Sequence, residues 1–287
     1  MSKIKDTIEE EKMFADKELE AIEPGYKFDE SKHYHSLDNK PLLGCSTVVG
    51  VISKPLTWWA SGLAVAKLGW TNSKLRVDGK YTSIPLSKRI EHLTPFWEKI
   101  KKLDTNGFLN LLDEAYKAHS EKLDKAADEG TDLHAELERY VKWHMSGEKE
   151  NRVFDPKIVP FIRWTEENVD KFLWSEVHCY SSKLWVGGIS DVGVLLKNGK
   201  AGVLDFKSSK DSYDSQFIQC AGYDLLISEN GGFDSKGRKL FDLSYPIEFY
   251  AVVPFGAPKF TVDFRYNVEE LREGFKSAVI LYKLTNK

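Results

Sequence analysis

Residues 187 to 210 read GGISDVGVLLKNGKAGVLDFKSSK, and this stretch decides the architecture of the chain. Apolar, β-branched runs lie on both sides of Asn198-Gly199, a dipeptide that tolerates the positive φ of a tight hairpin turn. The pattern predicts two antiparallel strands, each with an aspartate that folding does not require: Asp191 in the first and Asp205 in the second. Because strand side chains alternate between faces, Lys207 shares a face with Asp205, about 7 Å along the strand.

The register of this hairpin decides whether Asp191 joins them. A two-residue loop, Asn198-Gly199, would place Val192 opposite Asp205 and turn Asp191 to the other face. A three-residue loop, 197–199, with its glycine in the left-handed conformation of a G1 bulge, would place Asp191 opposite Asp205. Both turns suit the sequence locally. We predict the second, because it gathers two carboxylates and an ammonium on one face.

Two facing carboxylates with a lysine beside them predict a metal site. The carboxylates repel each other, so one takes up a proton unless a cation lies between them. Magnesium and manganese bind oxygen ligands, keep several waters and relieve this repulsion. The lysine can orient or deprotonate the attacking water, or hold a phosphate group. This set of groups favours phosphodiester hydrolysis over an ordinary charged hairpin.

Two further patterns flank the hairpin. Before it, residues 130–134 read GTDLH, and apolar residues then recur at helical spacing with His134 at the edge of their stripe. A lone histidine on a helix is more often structural than a ligand, so this pattern alone leaves the role of His134 open. After the hairpin, Gln219 and Tyr223 stand four residues apart and so share one helix face.

Together these motifs resemble the PD-(D/E)XK nuclease superfamily, and within it the RecB-like and viral exonuclease branch. The (D/E)-x-K motif is matched by Asp205-Phe206-Lys207 and the earlier acidic residue by Asp191. The Gly-Thr-x-x-His motif is matched by residues 130–134, and Q-x-x-x-Y by Gln219 and Tyr223. The four motifs occur in the family's order and cover about residues 126 to 226, and that order carries more weight than any single match.

The resemblance implies a catalytic centre with bound Mg²⁺ or Mn²⁺. Its metal ligands would be His134, Asp191, Asp205 and the backbone carbonyl of Phe206. Lys207 would position the attacking water, and Glu176 is an additional candidate near the metal. No iron–sulfur cluster is expected, since such a cluster needs four thiolates and the chain has three cysteines.

The resemblance also implies a DNA-binding surface beside this centre. Its expected contacts are Gln219, Tyr223, Ser208 and Lys210. An amide and a phenol can donate to phosphate oxygens, and the phenol ring can stack on a base. The net charge of the whole chain is −3, so a DNA surface must be a local groove.

Composition and element order indicate the fold class. The 287 residues, 41% of them hydrophobic, can bury one sizeable core or a core with a helical subdomain. The order of predicted elements gives an α/β fold, a mixed central sheet flanked by helices with a helical N-terminal region, and the resemblance implies the restriction-endonuclease-like fold. We expect an acidic arm over 1–31, a mainly helical region over 32–125 and the nuclease core over 126–287.

Local signals predict several element boundaries. Asp38-Asn39 predicts a hairpin turn, Ser46-Thr47 the cap of a short helix over 48–52, and Asn106-Gly107 a break between helices. Gly130-Thr131 predicts a helix start. The scattered cysteines and the polar first thirty residues indicate a cytoplasmic protein, in the host cytoplasm if viral, with no membrane partner.

The favoured function is a metal-dependent DNA nuclease, an exonuclease acting on DNA ends in recombination, repair or replication. Two alternatives stay open: a structure- or site-specific endonuclease of the same fold, and a catalytically weak nucleic-acid-binding module. The intact Asp/Asp/Lys set argues against the second alternative. Expected partners are DNA, as single strands or duplex ends, and a second copy of the chain or a recombination protein.

Overall fold

The computed structural model describes residues 25–52, 57–77, 80–147 and 152–286 and divides into two units. The first unit consists of Met1–Ser53 with Gly130–Lys287, and the second of Lys54–Glu129. Most of the predicted acidic arm lies outside the described residues, which begin at residue 25. The domain boundaries expected at residues 31 and 125 stay predictions.

The first unit is a mixed α/β structure. Before the second unit, its elements in chain order are β1 (Tyr26–Asp29), β2 (Tyr34–Leu37), β3 (Lys40–Pro41), β4 (Leu43–Gly44), α1 (Cys45–Val49) and a 3-10 turn (Gly50–Ile52). After the second unit, its elements are the end of α4 (Thr105–Ser146), a 3-10 turn (Pro156–Ile158), α5 (Val159–Asn168), β7 (Val169–Ser181), β8 (Val186–Leu196), β9 (Ala201–Lys207), α6 (Asp214–Asn230), β10 (Gly232–Phe233), β11 (Lys239–Phe241), β12 (Ile247–Pro254), β13 (Asp263–Arg265) and α7 (Val268–Thr285).

An eight-stranded sheet forms the centre of this unit. Seven strands lie in the order β11-β10-β7-β8-β9-β12-β13, and β4 pairs with β8. The pairs β9–β12 and β4–β8 are parallel, whereas the other pairs are antiparallel. The sheet is therefore mixed, as the sequence predicted.

Each face of the sheet buries its own hydrophobic core. On one face α1, α6 and α7 pack against alternate strand residues, with Phe217, Leu226 and Phe275 fully buried. On the other face the end of α4 and α5 do the same, through Leu137 and Phe161. Burying a side chain of this size contributes about 1.5–3 kcal/mol. Helices on both faces explain the long buried runs in β8, β9 and β12.

A buried polar network joins three elements on the first of these faces. The Asp224 carboxylate, in α6, accepts hydrogen bonds from the Tyr250 hydroxyl at 2.5 Å and from Arg272 Nε at 2.8 Å. Ser228 donates to its other oxygen at 3.0 Å. Asp224 is wholly buried, so these donors replace the water that it loses. The network links α6 to β12 and α7.

The second unit is built mainly from helices. It holds α2 (Thr57–Lys67), the hairpin of β5 (Lys74–Val77) and β6 (Lys80–Ser83), α3 (Leu86–Ile100) and the first part of α4. The mainly helical region expected over 32–125 stays a prediction as a domain, since β2, β3 and β4 lie within it and belong to the first unit. Among the described residues, no helix is long and apolar enough to cross a lipid bilayer.

Three local expectations were wrong. Ser46 and Thr47 do not cap a helix at Val48: they lie inside α1, which begins at Cys45 after Gly44 and has no side-chain cap. Asn106-Gly107 does not separate helices, because the Asp104 carboxylate accepts from the Gly107 amide at 2.7 Å and satisfies the first turn of α4. The helix start expected at Gly130-Thr131 lies within the same continuous helix.

The hairpin turn at Asp38-Asn39 is confirmed. Both residues have positive φ, 50° and 59°, as a tight two-residue turn requires, and Leu37 pairs with Lys40 across it.

Candidate metal centre

The hairpin of β8 and β9 has the three-residue turn. Leu196 donates to the Lys200 carbonyl at 2.9 Å, and Gly199 has a φ of +84°. The strands pair Leu195 with Ala201 and Val192 with Leu204, so the next position along places Asp191 opposite Asp205. The predicted register is confirmed.

The two strands separate at this acidic pair. Backbone pairing is regular from Leu195 as far as Val192 and Leu204. Beyond the pair of Val192 and Leu204, the backbone amide of Phe206 donates a hydrogen bond to Asp191 Oδ2 at 2.8 Å. A buried strand amide must find an acceptor, and here the acceptor is the Asp191 side chain. That bond fixes the orientation of the carboxylate.

A third acid, Glu176 of β7, extends this pair into a row across three strands. Ser175 pairs with Val192 and Val177 with Ser190, so Glu176 stands opposite Asp191 on the edge of β8 that faces away from β9. The backbone of Glu176 has a φ of +49°, which L-residues seldom adopt inside a strand. Positions of this kind persist where the surrounding structure enforces them, and they cluster at functional sites. We call Glu176, Asp191 and Asp205 the acidic row.

His134 reaches the acidic row from α4. Its Nε2 lies 2.9 Å from the Phe206 carbonyl oxygen, and a carbonyl can only accept, so Nε2 carries a proton. The other ring nitrogen, Nδ1, lies 3.8 Å from Asp191 Oδ2. Histidines that bind metals through one nitrogen usually donate the other N–H to a carbonyl or carboxylate. His134 has this arrangement.

Lys207 closes the other end of the row. Its Nζ lies 2.5 Å from Asp205 Oδ2, and the two side chains follow each other on one face of β9. The Asp205 side chain is 1% exposed and that of Lys207 24% exposed, so this ion pair is largely buried. Among the described residues, Asp205 Oδ1 has no hydrogen-bond partner.

The electrostatics of the row reflect crowded negative charge. Burial, reinforced by the charge of Asp191, raises the pKa of Glu176 to about 8. Burial raises the pKa of Asp205 to about 6, although Lys207 opposes the change. Burial alone would lower the pKa of Lys207, but the carboxylates of Asp205 and Asp191 outweigh it and the pKa lies above its ordinary value.

These residues fit a divalent cation. His134, Glu176 and Asp191 each offer a ligand atom, and the three atoms lie within 4.8 Å of one another. The buried, unpartnered oxygen of Asp205 beside them is costly unless a cation or water satisfies it. Two carboxylates and an imidazole suit several divalent metals and do not select one. Asp205 is not among the three side chains, and the Phe206 carbonyl accepts from His134 Nε2; metal binding by either one stays a prediction.

The residues expected to contact DNA fall into two groups. Gln219 donates to the Tyr223 hydroxyl at 2.6 Å on α6, as their spacing predicted, and both are buried, with 8% and 6% exposure. The Tyr223 ring lies against β8, because a Cβ on Gly188 would be 2.8 Å from its Cε1 atom. Ser208 and Lys210 are exposed in the turn that follows β9.

Glu176 has a larger part in this site than its sequence pattern indicated. Its position opposite Asp191 follows from the connection between β7 and β8, where Ser181 pairs with Val186 and residues 182–185 form the loop. A loop length of four residues, had it been assumed, would have predicted that position. The positive φ of Glu176 has no signal in the sequence.

Two cavities elsewhere lack such a group of ligands. One of about 640 Å³ lies in the second unit, lined among others by Leu63, Phe96 and Leu111. Another of about 430 Å³ lies beside β7 and is lined by Trp174 and Phe241. Within the described residues, the group of His134, Glu176 and Asp191 is the one whose atoms could hold a metal ion.

Comparison of the sequence with protein-family models and with curated proteins gives no match.

Proposed function

We propose that this protein is a metal-dependent nuclease that hydrolyses phosphodiester bonds in DNA, and that it acts as an exonuclease on DNA ends. The observation that carries the proposal is the acidic row, with His134 at one side and Lys207 at its end. A cation bound among buried carboxylates offsets their mutual repulsion and stabilises their ionised forms. The order of the four sequence motifs supports the nuclease class and a restriction-endonuclease-like fold.

His134, Glu176 and Asp191 would hold a divalent ion, and Asp205 would supply a further carboxylate beside them. A bound Mg²⁺ or Mn²⁺ would act as a Lewis acid on the phosphoryl group and offset the charge that develops there. The oxygen-rich ligand set suits either ion. The Phe206 backbone holds this set together, since its amide binds Asp191 and its carbonyl binds His134.

Lys207 would act on the substrate directly. Asp205 pairs with its ammonium, and the ammonium has further N–H donors to offer. It would donate to a phosphate oxygen or hold the attacking water in line with the scissile bond. A positioned charge at such a point acts most strongly where charge develops in the transition state.

Tyr223 and Gln219 would fix the DNA strand from the α6 side. The Tyr223 hydroxyl accepts from Gln219 and keeps its own proton for another acceptor. A phosphate oxygen of the strand is the acceptor that we propose. Ser208 and Lys210, exposed after β9, would contact the backbone further along.

The test is an activity assay on DNA labelled at either end, with Mn²⁺ or Mg²⁺, using the full chain. We expect release of nucleotides from linear DNA, complete loss of release with EDTA, and a loss of at least about a hundredfold in Asp205→Ala and Lys207→Ala. Asp170→Asn, an exposed acid on the same strand as Glu176, is the matched control and should retain full activity.

Circular single-stranded DNA distinguishes the two modes of cleavage. An exonuclease leaves it intact, whereas cleavage of the circle would identify an endonuclease. If folded wild-type protein cleaves none of these substrates, the nuclease proposal is refuted. Calorimetric titration of wild type and Asp191→Asn with Mn²⁺ would then show whether a metal-binding, non-hydrolytic module remains.

A further inference from the structure

A gap in the strand pairing of β8 lies beside the acidic row. On one edge of β8 the partner is β4 at Val186 and Gly187, and it becomes β9 at Val192. Between them, residues 188–191 have no strand partner on that edge within the described part of the chain. Asp191 occupies the end of this gap nearest β9. The acidic row therefore adjoins this unpaired stretch of β8.

A cavity of about 440 Å³ opens at the other end of the same gap. Gly187, Gly188 and Ile189 of β8 line it, and residues 42–44, α1, the β1–β2 hairpin, α6 and α7 supply the rest of its wall. Ile189 and Asp191 are two residues apart on the strand, about 7 Å. Cavities of this size hold small molecules of the order of one nucleoside.

Two glycines give the cavity its shape. A Cβ on Gly187 would lie 2.6 Å from the Cβ of His35, and one on Gly188 would lie 2.8 Å from the Tyr223 ring. Both distances are shorter than real Cβ contacts. A larger residue would therefore displace the His35 ring at position 187 or the Tyr223 ring at position 188, and both rings line the cavity.

The lining is aromatic and polar. Three tyrosines and two histidines face the cavity, together with the exposed hydroxyl residues Ser46 and Thr47: the rings belong to Tyr34, Tyr223, Tyr282, His33 and His35. Among the residues that the structure describes, its lining includes no lysine, arginine, aspartate or glutamate. A phosphate placed there would lack a cationic partner, whereas a base and sugar would find rings and hydroxyl groups.

We propose that this cavity binds one nucleoside unit of the DNA strand, its base and sugar, next to the phosphate that the acidic row hydrolyses. This inference rests on the proposed function and adds the part of the substrate that the metal centre does not contact. Tyr34, which is 37% exposed, would stack on the base. Ser46 and Thr47 would donate to it or to the sugar.

The test measures binding of deoxyadenosine to metal-free protein in EDTA by calorimetry, because a neutral cavity needs no metal to bind a nucleoside. We expect saturable binding to the full chain. Tyr34→Ala should weaken it at least about fivefold, the lower end of what loss of one stacking contact costs. Ser46→Trp, which places a large side chain in the cavity, should abolish it. Tyr116→Ala, a tyrosine outside the cavity, is the matched control and should bind normally.

Two results would overturn the inference. One is the same affinity in wild type, Tyr34→Ala and Ser46→Trp, or no binding in any of them. The other is binding of deoxyribose 5-phosphate as tight as that of deoxyadenosine, since the lining then selects a phosphate.

DNA hydrolysis by the same preparations separates this inference from the nuclease proposal. If hydrolysis is intact but deoxyadenosine does not bind, the nucleoside site is wrong and the nuclease proposal stands. If deoxyadenosine binds as expected but no DNA is hydrolysed, the nucleoside site stands and the nuclease proposal is wrong.

Discussion

Replacing Glu176 by glutamine should stabilise the metal-free protein. Burial and the neighbouring charge raise the pKa of this carboxyl from its ordinary 4.5 to about 8. At pH 7 the carboxyl is ionised in the unfolded chain and must take up a proton on folding. At about 1.4 kcal/mol per pH unit, that uptake costs about 3 kcal/mol. Glutamine has nearly the same shape and needs no proton.

The sign of the pH dependence follows from the same shift. A carboxyl whose pKa is raised by folding loses stability as the pH rises from 4.5 towards 8. The advantage of Glu176→Gln should therefore be about 1–3 kcal/mol at pH 7, after allowance for partial exposure of the side chain, and below about 1 kcal/mol at pH 5. Each kcal/mol raises the melting temperature by about 2–4 °C in a protein of this size class.

The assay is thermal unfolding in EDTA at the two pH values, repeated with Mn²⁺. Mn²⁺ at about a hundred times its Kd should stabilise wild type by about 2.7 kcal/mol, and it should stabilise Glu176→Gln much less. Glu248→Gln, the same change at an exposed position of β12, is the control and should alter neither result. Equal stability of wild type and Glu176→Gln at pH 7 would refute the reasoning, since Glu176 would then not lie in a crowded negative field.

Three further predictions concern the fold. Arg272→Met leaves the wholly buried Asp224 carboxylate without its guanidinium and should cost about 3–5 kcal/mol in urea unfolding; a cost below about 1 kcal/mol would contradict this. Gly199→Ala should lower the free energy of unfolding by about 1–2 kcal/mol, because its φ of +84° is unfavourable for alanine although no atom crowds the site. Gly50→Ala is the control and should leave the free energy of unfolding unchanged, because Gly50 has a helical φ of −54°. Equal effects of the two changes would contradict this. Burial lowers the pKa of His35 to about 3, so folding stability should fall as the pH drops below 6.5, by about 2 kcal/mol at pH 5. His35→Phe should reduce this dependence of stability on pH. The same pH dependence in wild type and variant would contradict this.

The parts of the structure that depend on short-range signals could be predicted from the sequence. Asn198-Gly199 and Asp38-Asn39 determine their turns locally, through the tolerance of these residues for positive φ. The requirement that two acids share a face then selected the three-residue turn, and the register between Asp191 and Asp205 followed. The strand alternation of β9 placed Lys207 beside Asp205 for the same local reason.

The parts that failed depend on interactions that single residue types do not reveal. A glycine inside a helix costs about 1 kcal/mol, which capping by Asp104 and a long helix can offset, so Gly107 and Gly130 do not end α4. The place of Glu176 in the acidic row depends on pairing with another strand and on a distorted backbone. The ion pair between Asp205 and Lys207 gains its strength from the burial of both groups, which the sequence does not reveal, and metal binding by Asp205 stays a prediction.

Anomalous diffraction from crystals grown with Mn²⁺ would locate the metal ion that the proposed hydrolysis requires. We expect a manganese peak within coordination distance of His134 Nδ1 and of the Glu176 and Asp191 carboxylates, and no peak there in Asp191→Asn crystals. A well-occupied manganese ion elsewhere on the molecule, with none at these three residues, would contradict it.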